Sequence, residues 1–460
     1  MPIVFLQYTA QQKNMNSTLI IIIVFVIGYS LIALENLTKV NKTCIALLMY
    51  VVCWSVYMIA GNYDGEILSA FSRHLAETCE TILFLMGAMT IVEVVDSNGG
   101  FNFVTRWLHS DNPKWLLWKT VGLTFTLSAL LDNMTTAIVM TMVLKKLVRI
   151  PTQRLLLVCI VVIAANAGGS FSPIGDVTTI MLWIKGCVSA GGIISGLLLP
   201  SVVSVVVPTL VVMPMLKASG NDVNGSVPDE VMRPFEQLSR PSQFSRGARI
   251  TIFLIGVGGL MSVPLFHNIT GLPPFVGVTG VLALLWTITE LIIHYDSNIL
   301  NSDTTVRVAT QMKKIDMATI LFFLGILLTV GTLQETGTLN QIGHWLNDTF
   351  NNVYVINALI GILSSVVDNV PLVASAMGMY NIEPSGVVES LQMYQQDGTF
   401  WQLLAYCAGT GGSILIIGSA AGVVAMGLEN ISFTWYMKRI TPLALLGYFA
   451  GILTYWLMNI

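Results

Sequence analysis

Charged residues are scarce in this chain, because lysine, arginine, aspartate and glutamate together make up only 10% of its 460 residues. A soluble globular domain carries roughly 25% of them, so the composition excludes that class. The hydrophobic share is 54% and the mean hydropathy is +0.74, which favours a protein surrounded by lipid. The net charge of −3 gives no reason to expect a nucleic-acid partner.

Cysteine is also sparse, and the short alternating runs of barrel strands are missing. The six cysteines form no C-x-x-C pair, so we interpret them as small hydrophobic residues and expect no disulfide, no resident metal and no cofactor. The apolar runs are roughly 15 to 30 residues long, the length of membrane helices. The sequence therefore predicts an all-α polytopic membrane protein with lipid as its surroundings.

Internal repetition divides the chain into two halves. Three motifs recur in the same order at offsets of 238, 236 and 243 residues: 81–87 as 319–325, Asp132 and Asn133 as Asp368 and Asn369, and 165–175 as 408–418. Such duplication is typical of secondary transporters. We predict a first repeat over 1–216, a cytoplasmic linker over 217–249 and a second repeat over 250–460.

Two of the twelve apolar segments have ends of matching charge. Segment 121–147 has basic residues on both sides and segment 353–380 has acidic residues on both sides. A single crossing would place the two flanks on opposite sides of the membrane, so each segment is predicted to be a re-entrant hairpin. The other ten segments then cross as transmembrane helices, the repeats have inverted topology, and both termini lie outside. Of the 22 basic residues, all but Lys13, Arg73 and Lys185 then face the cytoplasm.

Helix breaks at membrane depth are the predicted functional features. The hairpin tips carry Asp132 and Asp368, and the crossing helices that follow, 155–185 and 400–428, are each interrupted by glycine-rich stretches. Unwound backbone is tolerated there only beside protein or a polar cavity. We therefore expect two polar centres, related by pseudo-symmetry, at the bilayer midplane.

The deepest acidic residues, Asp132, Asp176 and Asp368, have no lysine or arginine in any break or at either tip. A carboxylate at the centre of a membrane helix costs roughly 2.5 to 3.5 kcal/mol, so unpaired ones need protons or bound cations. A hard cation such as Na⁺, expected at Asp132 and Asp368, would compete with protons for the same oxygens. Competition at an alternately exposed site gives antiport. Glu80 is a candidate for the proton pathway.

The sequence resembles the NhaD-type sodium/proton antiporters of the ion transporter superfamily in residues 77–93, 128–136, 166–179 and 364–369. The resemblance implies electrogenic exchange of Na⁺ or Li⁺ for H⁺ across a bacterial inner membrane. In the wider superfamily, anion carriers have Ser-Asn-Thr at the hairpin tips, and aspartate takes the serine place here. Ser419 departs from the repeat, which predicts a carboxylate there, so the two sites are not expected to be equivalent.

The breaks and the resemblance together define the predicted cation- and proton-binding residues. They are Asp132, Asn133, Thr135, Asn166, Ser170, Asp176, Thr178, Thr179, Ser364, Asp368, Asn369 and Ser413.

Two alternatives stay open. One is a superfamily carrier of arsenite, silicate or a carboxylate. The other is an intramembrane aspartyl protease, in which two aspartates share a proton and activate water. That class usually has G-x-G-D, which the sequence around Asp176 lacks, and we predict a transporter without enzyme activity. A homodimer would suit a carrier with a scaffold and a moving part, although no residue pattern shows it.

Overall fold

The computed structural model describes residues 2–33, 40–61, 64–100, 107–108, 110, 112–148, 150–216, 244–295, 307–366, 368–384 and 389–459. These residues form helices, turns and one isolated β-bridge. The predicted all-α polytopic class is therefore confirmed. Most of the predicted linker, 217–249, lies outside the described residues, and the chain continues at Phe244 before the next helix.

The described helices are numbered in chain order. Before residue 217 they are α1 (Pro2–Ala33), α2 (Lys42–Ala60), α3 (Gly65–Ser97), α4 (Pro113–Leu130), α5 (Asn133–Leu147), α6 (Pro151–Ser170), α7 (Val177–Ile184) and α8 (Ala190–Val212). After it they are α9 (Arg246–Thr270), α10 (Pro274–Tyr295), α11 (Val308–Gln311), α12 (Met317–Glu335), α13 (Thr338–Phe350), α14 (Val353–Leu363), α15 (Asn369–Met379), α16 (Thr399–Gly411), α17 (Ala420–Glu429), α18 (Phe433–Arg439) and α19 (Thr441–Met458).

Eight of the described helices are long and apolar enough to cross a membrane: α2, α3, α6, α8, α9, α10, α12 and α19. Each of them belongs to one of the ten segments predicted to cross. The other two predicted segments contain no described helix that is long and apolar enough to cross a membrane. The apolar part of α1 is slightly shorter, and the last broken segment divides into α16 and α17. The direction in which each helix crosses stays a prediction.

Four helix breaks lie where the sequence predicts them. The α4–α5 break falls at Leu131 and Asp132, and the α14–α15 break ends at Asp368. The crossing helices are interrupted between α6 and α7 and between α16 and α17. The first hairpin is longer than the predicted 121–147, because Asn112 caps α4 and Pro113 opens it.

Helix contacts recur when the two halves are exchanged. Helix α1 packs on α2 as α9 packs on α10, and α4 packs on α6 as α14 packs on α16. Helix α5 contacts α17 as α15 contacts α7. A duplicated fold predicts such pairs, and the inverted orientation of the halves stays a prediction.

The core lies where α6 meets α16. Residues 157–170 of α6 and 400–411 of α16 are all buried, and the two helices contact each other. Each of them ends at a break, so both breaks lie inside the protein. The hairpins pack around this pair and bring their tips to the same place.

Glycines at the two breaks let the hairpin tips approach closely. A Cβ atom at Gly175 would lie 2.7 Å from the Ser128 carbonyl oxygen, and one at Gly418 would lie 2.5 Å from that of Ser365. Both distances are shorter than real contacts allow, so any other residue would push the hairpin away. These glycines therefore set the distance between each tip and the break that follows it.

We predict that Gly175→Ala lowers stability by about 1 to 3 kcal/mol, because the added methyl group overpacks the first hairpin tip. Thermal unfolding of the purified protein in detergent measures the effect. The control is Gly427→Ala on α17, where a Cβ atom would meet open space. Equal stability of the two variants would contradict this interpretation of the packing.

Candidate functional site

Asp176 lies at the centre of the four breaks. It is the N-cap of α7, where its Oδ1 accepts hydrogen bonds from the Thr178 amide at 2.9 Å and the Thr178 hydroxyl at 3.1 Å. The residue is 1% exposed. Its position at the start of a helix places the carboxylate beside the positive end of the helix dipole.

Both hairpin tips donate to this carboxylate. The Asn133 side-chain nitrogen lies 2.7 Å from Asp176 Oδ2, and that of Asn369 lies 3.2 Å from the same oxygen. The two asparagines are the first residues of α5 and α15, the returning arms of the hairpins. The tips of the two repeats therefore meet on one carboxylate.

Asn166 joins the two broken helices. Its Oδ1 accepts from the Asn133 side chain at 3.2 Å, and its Nδ2 donates to the hydroxyls of Ser413 and Ser419, each at 2.9 Å. Asn166 is fully buried. We call the connected group the central polar cluster; its members are Asn133, Asn166, Asp176, Thr178, Asn369, Ser413 and Ser419.

The expectation of two polar centres is wrong, since the described residues form one connected cluster. The physical reason is the chemistry of the second repeat, which has Ser419 in the place of Asp176 and Gly409 in the place of Asn166. A Cβ atom at Gly409 would lie 2.2 Å from the Ser170 hydroxyl oxygen. The second repeat therefore contributes small groups and space, and the first repeat contributes the carboxylate and the bridging amide.

Three other predicted residues bond to backbone carbonyls at the helix breaks. Their hydroxyls donate as follows: Thr179 to Asp176 at 2.9 Å, Ser170 to Asn166 at 2.6 Å, and Ser364 to Ala408 at 2.8 Å. Ser128 makes the repeat-related bond to Ala165 at 2.5 Å. These contacts fasten the hairpins and helix ends around the cluster.

Asp132 lies beside the cluster without a hydrogen bond to Asp176 among the described residues. Its two oxygens accept from the Thr135 amide and the Thr135 hydroxyl, both at 2.7 Å. The carboxylate thus caps its own helix, α5, and the next residue, Asn133, reaches the centre. Asp368 and Asp132 both interact electrostatically with Asp176, and the effect of Asp368 is the larger of the two.

Asp368 has a basic partner, so the expectation that no lysine reaches either tip is wrong. The Lys42 ammonium lies 2.8 Å from Asp368 Oδ2, with side-chain exposures of 28% and 18%. Lys42 opens α2 and stands 326 positions away in the chain, which is why the flanking sequence gave no sign of it. The predicted Na⁺ ligands Asp132 and Asp368 therefore differ, because among the described residues an ammonium group contacts Asp368 and none contacts Asp132.

Glu80 lies half-buried on α3. In the described part of the chain, no hydrogen bond or ion pair joins it to the cluster. One turn earlier on the same helix, Glu77 pairs with Lys185 at the end of α7 at 2.5 Å. A role of Glu80 in a proton pathway stays a prediction.

Two residues of the site were missed by sequence reasoning. Ser419 carries a signal, since the offset of 243 aligns it with Asp176. Lys42 carries none in the sequence, because it lies in a different segment from every break. Only the packing of α2 along α12, which in turn packs on α15, brings it to the second hairpin.

Crossing helices that break beside a buried carboxylate define a polytopic membrane protein of the secondary-transporter class. The model of the citrate transporter family, CitMHS, matches residues 18–395. The chain is 44% identical to sodium/proton antiporter 1 of Arabidopsis thaliana over 96% of this chain and 72% of that protein. Sodium/proton antiporter 2 of the same plant is 41% identical over 94% and 98%, and Na⁺/H⁺ antiporter NhaD of Vibrio cholerae is 31% identical over 95% and 91%.

The chain belongs to the citrate transporter family, and within it to the group that includes the NhaD-type sodium/proton antiporters. The resemblance noted in the sequence is thereby confirmed over most of the chain.

We predict that Asn166→Ala destabilises the protein by about 1 to 3 kcal/mol, because it removes the buried hydrogen bonds that join Asn133 to Ser413 and Ser419 through this side chain. Thermal unfolding in detergent is again the measurement. The matched control is Asn357→Ala, an equally buried residue whose Nδ2 donates only within its own helix, to Val353 at 3.0 Å. A larger loss for Asn357→Ala than for Asn166→Ala would contradict the bridging role.

Proposed function

We propose that the chain exchanges Na⁺ or Li⁺ for H⁺ by alternating access, with cation and proton competing for the carboxylates at the central polar cluster. The observation that carries the proposal is the environment of Asp176. It is 1% exposed and accepts hydrogen bonds only from amides and a hydroxyl among the described residues. A buried carboxylate with neutral donors alone requires a proton or a cation.

The side chains around Asp176 can interact with the carboxyl group whether it holds a proton or a cation. Asn133 and Asn369 each carry an amide oxygen as well as the NH₂ group that now faces the carboxylate. Rotation of either amide by half a turn would present an oxygen to a cation without moving the backbone. Carboxylate, amide and hydroxyl oxygens are the ligands that hard cations prefer. The cluster therefore suits Na⁺ or Li⁺ better than a soft metal.

Asp132 provides a second negative charge close to the first. Two carboxylates that interact in a buried site do not both remain charged without compensation. A cation between them or a proton on one of them removes the repulsion. We therefore place the transported cation at Asp176, with Asp132 and Asp368 as the neighbouring carboxylates.

Several finer statements accompany the proposal. The protein is a multi-pass membrane protein whose relatives are transporters, and we propose that it catalyses no chemical reaction and uses no cofactor. The bacterial inner membrane, the outer position of both termini and a homodimer stay predictions.

The alternative functions would need sites whose charges differ from those of the central polar cluster. A carrier of citrate, the substrate in the description of the matching family, would need positive groups where the cluster has a carboxylate. An aspartyl protease would need two aspartates sharing one proton, whereas Lys42 pairs with Asp368 and no hydrogen bond joins Asp132 to Asp176 among the described residues. Both observations favour the cation antiporter.

A pH gradient across everted membrane vesicles tests the function. We expect Na⁺ or Li⁺ to dissipate a preformed gradient, and K⁺, citrate, arsenite and silicate to leave it in place, because the cluster offers oxygens to a small hard cation. Dissipation by citrate or arsenite but not by Na⁺ would contradict the proposal.

The same assay includes three variants. Asp176→Asn, Asp132→Asn and Asp368→Asn are each expected to reduce Na⁺-dependent proton movement to background while the protein stays in the membrane. The control is Asp348→Asn, an exposed position on α13. Near-normal exchange by Asp176→Asn would contradict its central role.

A further inference from the structure

The two hairpin-tip carboxylates are stabilised by different groups. Asp132 accepts two hydrogen bonds from Thr135, one from the amide and one from the hydroxyl. At the repeat offset of 236, the place of Thr135 is taken by Pro371, which has neither an N–H nor a hydroxyl. The same stabilisation is therefore impossible for Asp368, whose backbone partner is the Val370 amide at 3.4 Å.

At Asp368 an ammonium group provides the stabilisation that Thr135 gives to Asp132. Lys42 Nζ lies 2.8 Å from Asp368 Oδ2 and 4.4 Å from the centre of the Phe322 ring, so a carboxylate and an aromatic face hold it together. With 28% of its side chain exposed, the lysine also has room to turn its charged end away from Asp368.

The repeat gives Asp132 no equivalent lysine. Gly325 lies against Ala46, and its counterpart Gly87 lies against Val278, so the start of α2 aligns with the start of α10. In that alignment the place of Lys42 is taken by Pro274. In the part of the chain that the structure describes, the lysine therefore contacts the tip of the second hairpin and has no counterpart at the first.

The ion pair connects two separate parts of the fold. Lys42 opens α2, which is fastened to α12 by the Thr43 hydroxyl donating to the Ala318 carbonyl at 2.8 Å. Asp368 belongs to the second hairpin, and the next residue, Asn369, donates to Asp176. A change in the ion pair can therefore reach Asp176, the carboxylate that we place at the cation site, through the single intervening residue Asn369.

We propose that Lys42 is a tethered counter-cation that holds Asp368 when the central polar cluster is empty and competes with the transported Na⁺. This inference rests on the proposed function. Lys42 supplies one positive charge at Asp368, and the next residue, Asn369, donates to Asp176. Na⁺ arriving at the cluster repels the ammonium, and the lysine side chain swings away from Asp368. When Na⁺ leaves, the ammonium returns and keeps the empty cluster from holding the ion too tightly.

Removal of the lysine charge gives an effect of defined sign. An opposite charge within about 4–6 Å lowers the affinity of a carboxylate for a proton by roughly 10-fold or more, and we expect a change of the same size for a cation that interacts with Asp368. We therefore expect Lys42→Gln to bind Na⁺ about tenfold more tightly and to turn over more slowly, because release becomes difficult. Lys42→Arg keeps the charge and is expected to bind Na⁺ much as the unmodified protein does. A merely structural ion pair predicts the opposite, weaker binding by Lys42→Gln.

Equilibrium binding of radioactive Na⁺ to the purified full-length protein measures the affinity, and exchange in vesicles measures turnover. Lys42→Met, similar in length and compatible with a membrane helix, serves as a second neutral variant if Lys42→Gln fails to fold. Lys185→Gln, which breaks the ion pair with Glu77, is the control and is expected to leave Na⁺ affinity unchanged.

Unchanged or weaker Na⁺ binding by the folded neutral variants would overturn the role of Lys42 alone. Absence of Na⁺ binding by the unmodified protein would overturn the proposed function as well.

Discussion

A carboxylate buried among neutral donors is the constraint on which the rest of the structure depends. Asp176 is almost completely buried and has amides and a hydroxyl as its partners among the described residues. Such a charge is tolerable only if the protein offers it a proton or a cation. All four helix breaks contribute to this arrangement: two bring asparagines, one supplies the carboxylate itself, and the fourth supplies the serines that fix Asn166.

The repeat in the sequence accounts for the matching helix packing of the two halves, and the differences between its copies account for the polar groups at the site. The helix contacts, the glycines beneath each hairpin tip and the serine bonds to Ala165 and Ala408 recur in both halves. Four polar positions do not recur: the repeat aligns Asp176 with Ser419, Asn166 with Gly409, Thr135 with Pro371 and Lys42 with Pro274. Each pair places the functional group in one half and room or a neutral group in the other. A symmetric frame can thereby enclose a single asymmetric site.

The local features of this protein could be predicted from sequence, and the long-range ones could not. The helix breaks were predictable because glycine, proline and capping residues act on their own segment, and the repeat made each signal visible twice. The roles predicted for Asp132 and Asp368 stay predictions, and the contacts of Asp132 have a stereochemical reason. An aspartate at an N-cap turns back to its own helix, as Asp132 does toward Thr135, and the following asparagine projects to the centre. The Lys42 contact depends on how α2, α12 and α15 pack, which no local pattern encodes.

Proton release on cation binding tests the central claim most directly. Purified protein in weakly buffered detergent solution is mixed with NaCl, with choline chloride as the reference, and the change in pH is recorded. The account predicts that the unmodified protein acidifies the solution only with Na⁺ and that Asp176→Asn releases fewer protons. Equal proton release by the folded Asp176→Asn variant would contradict the account.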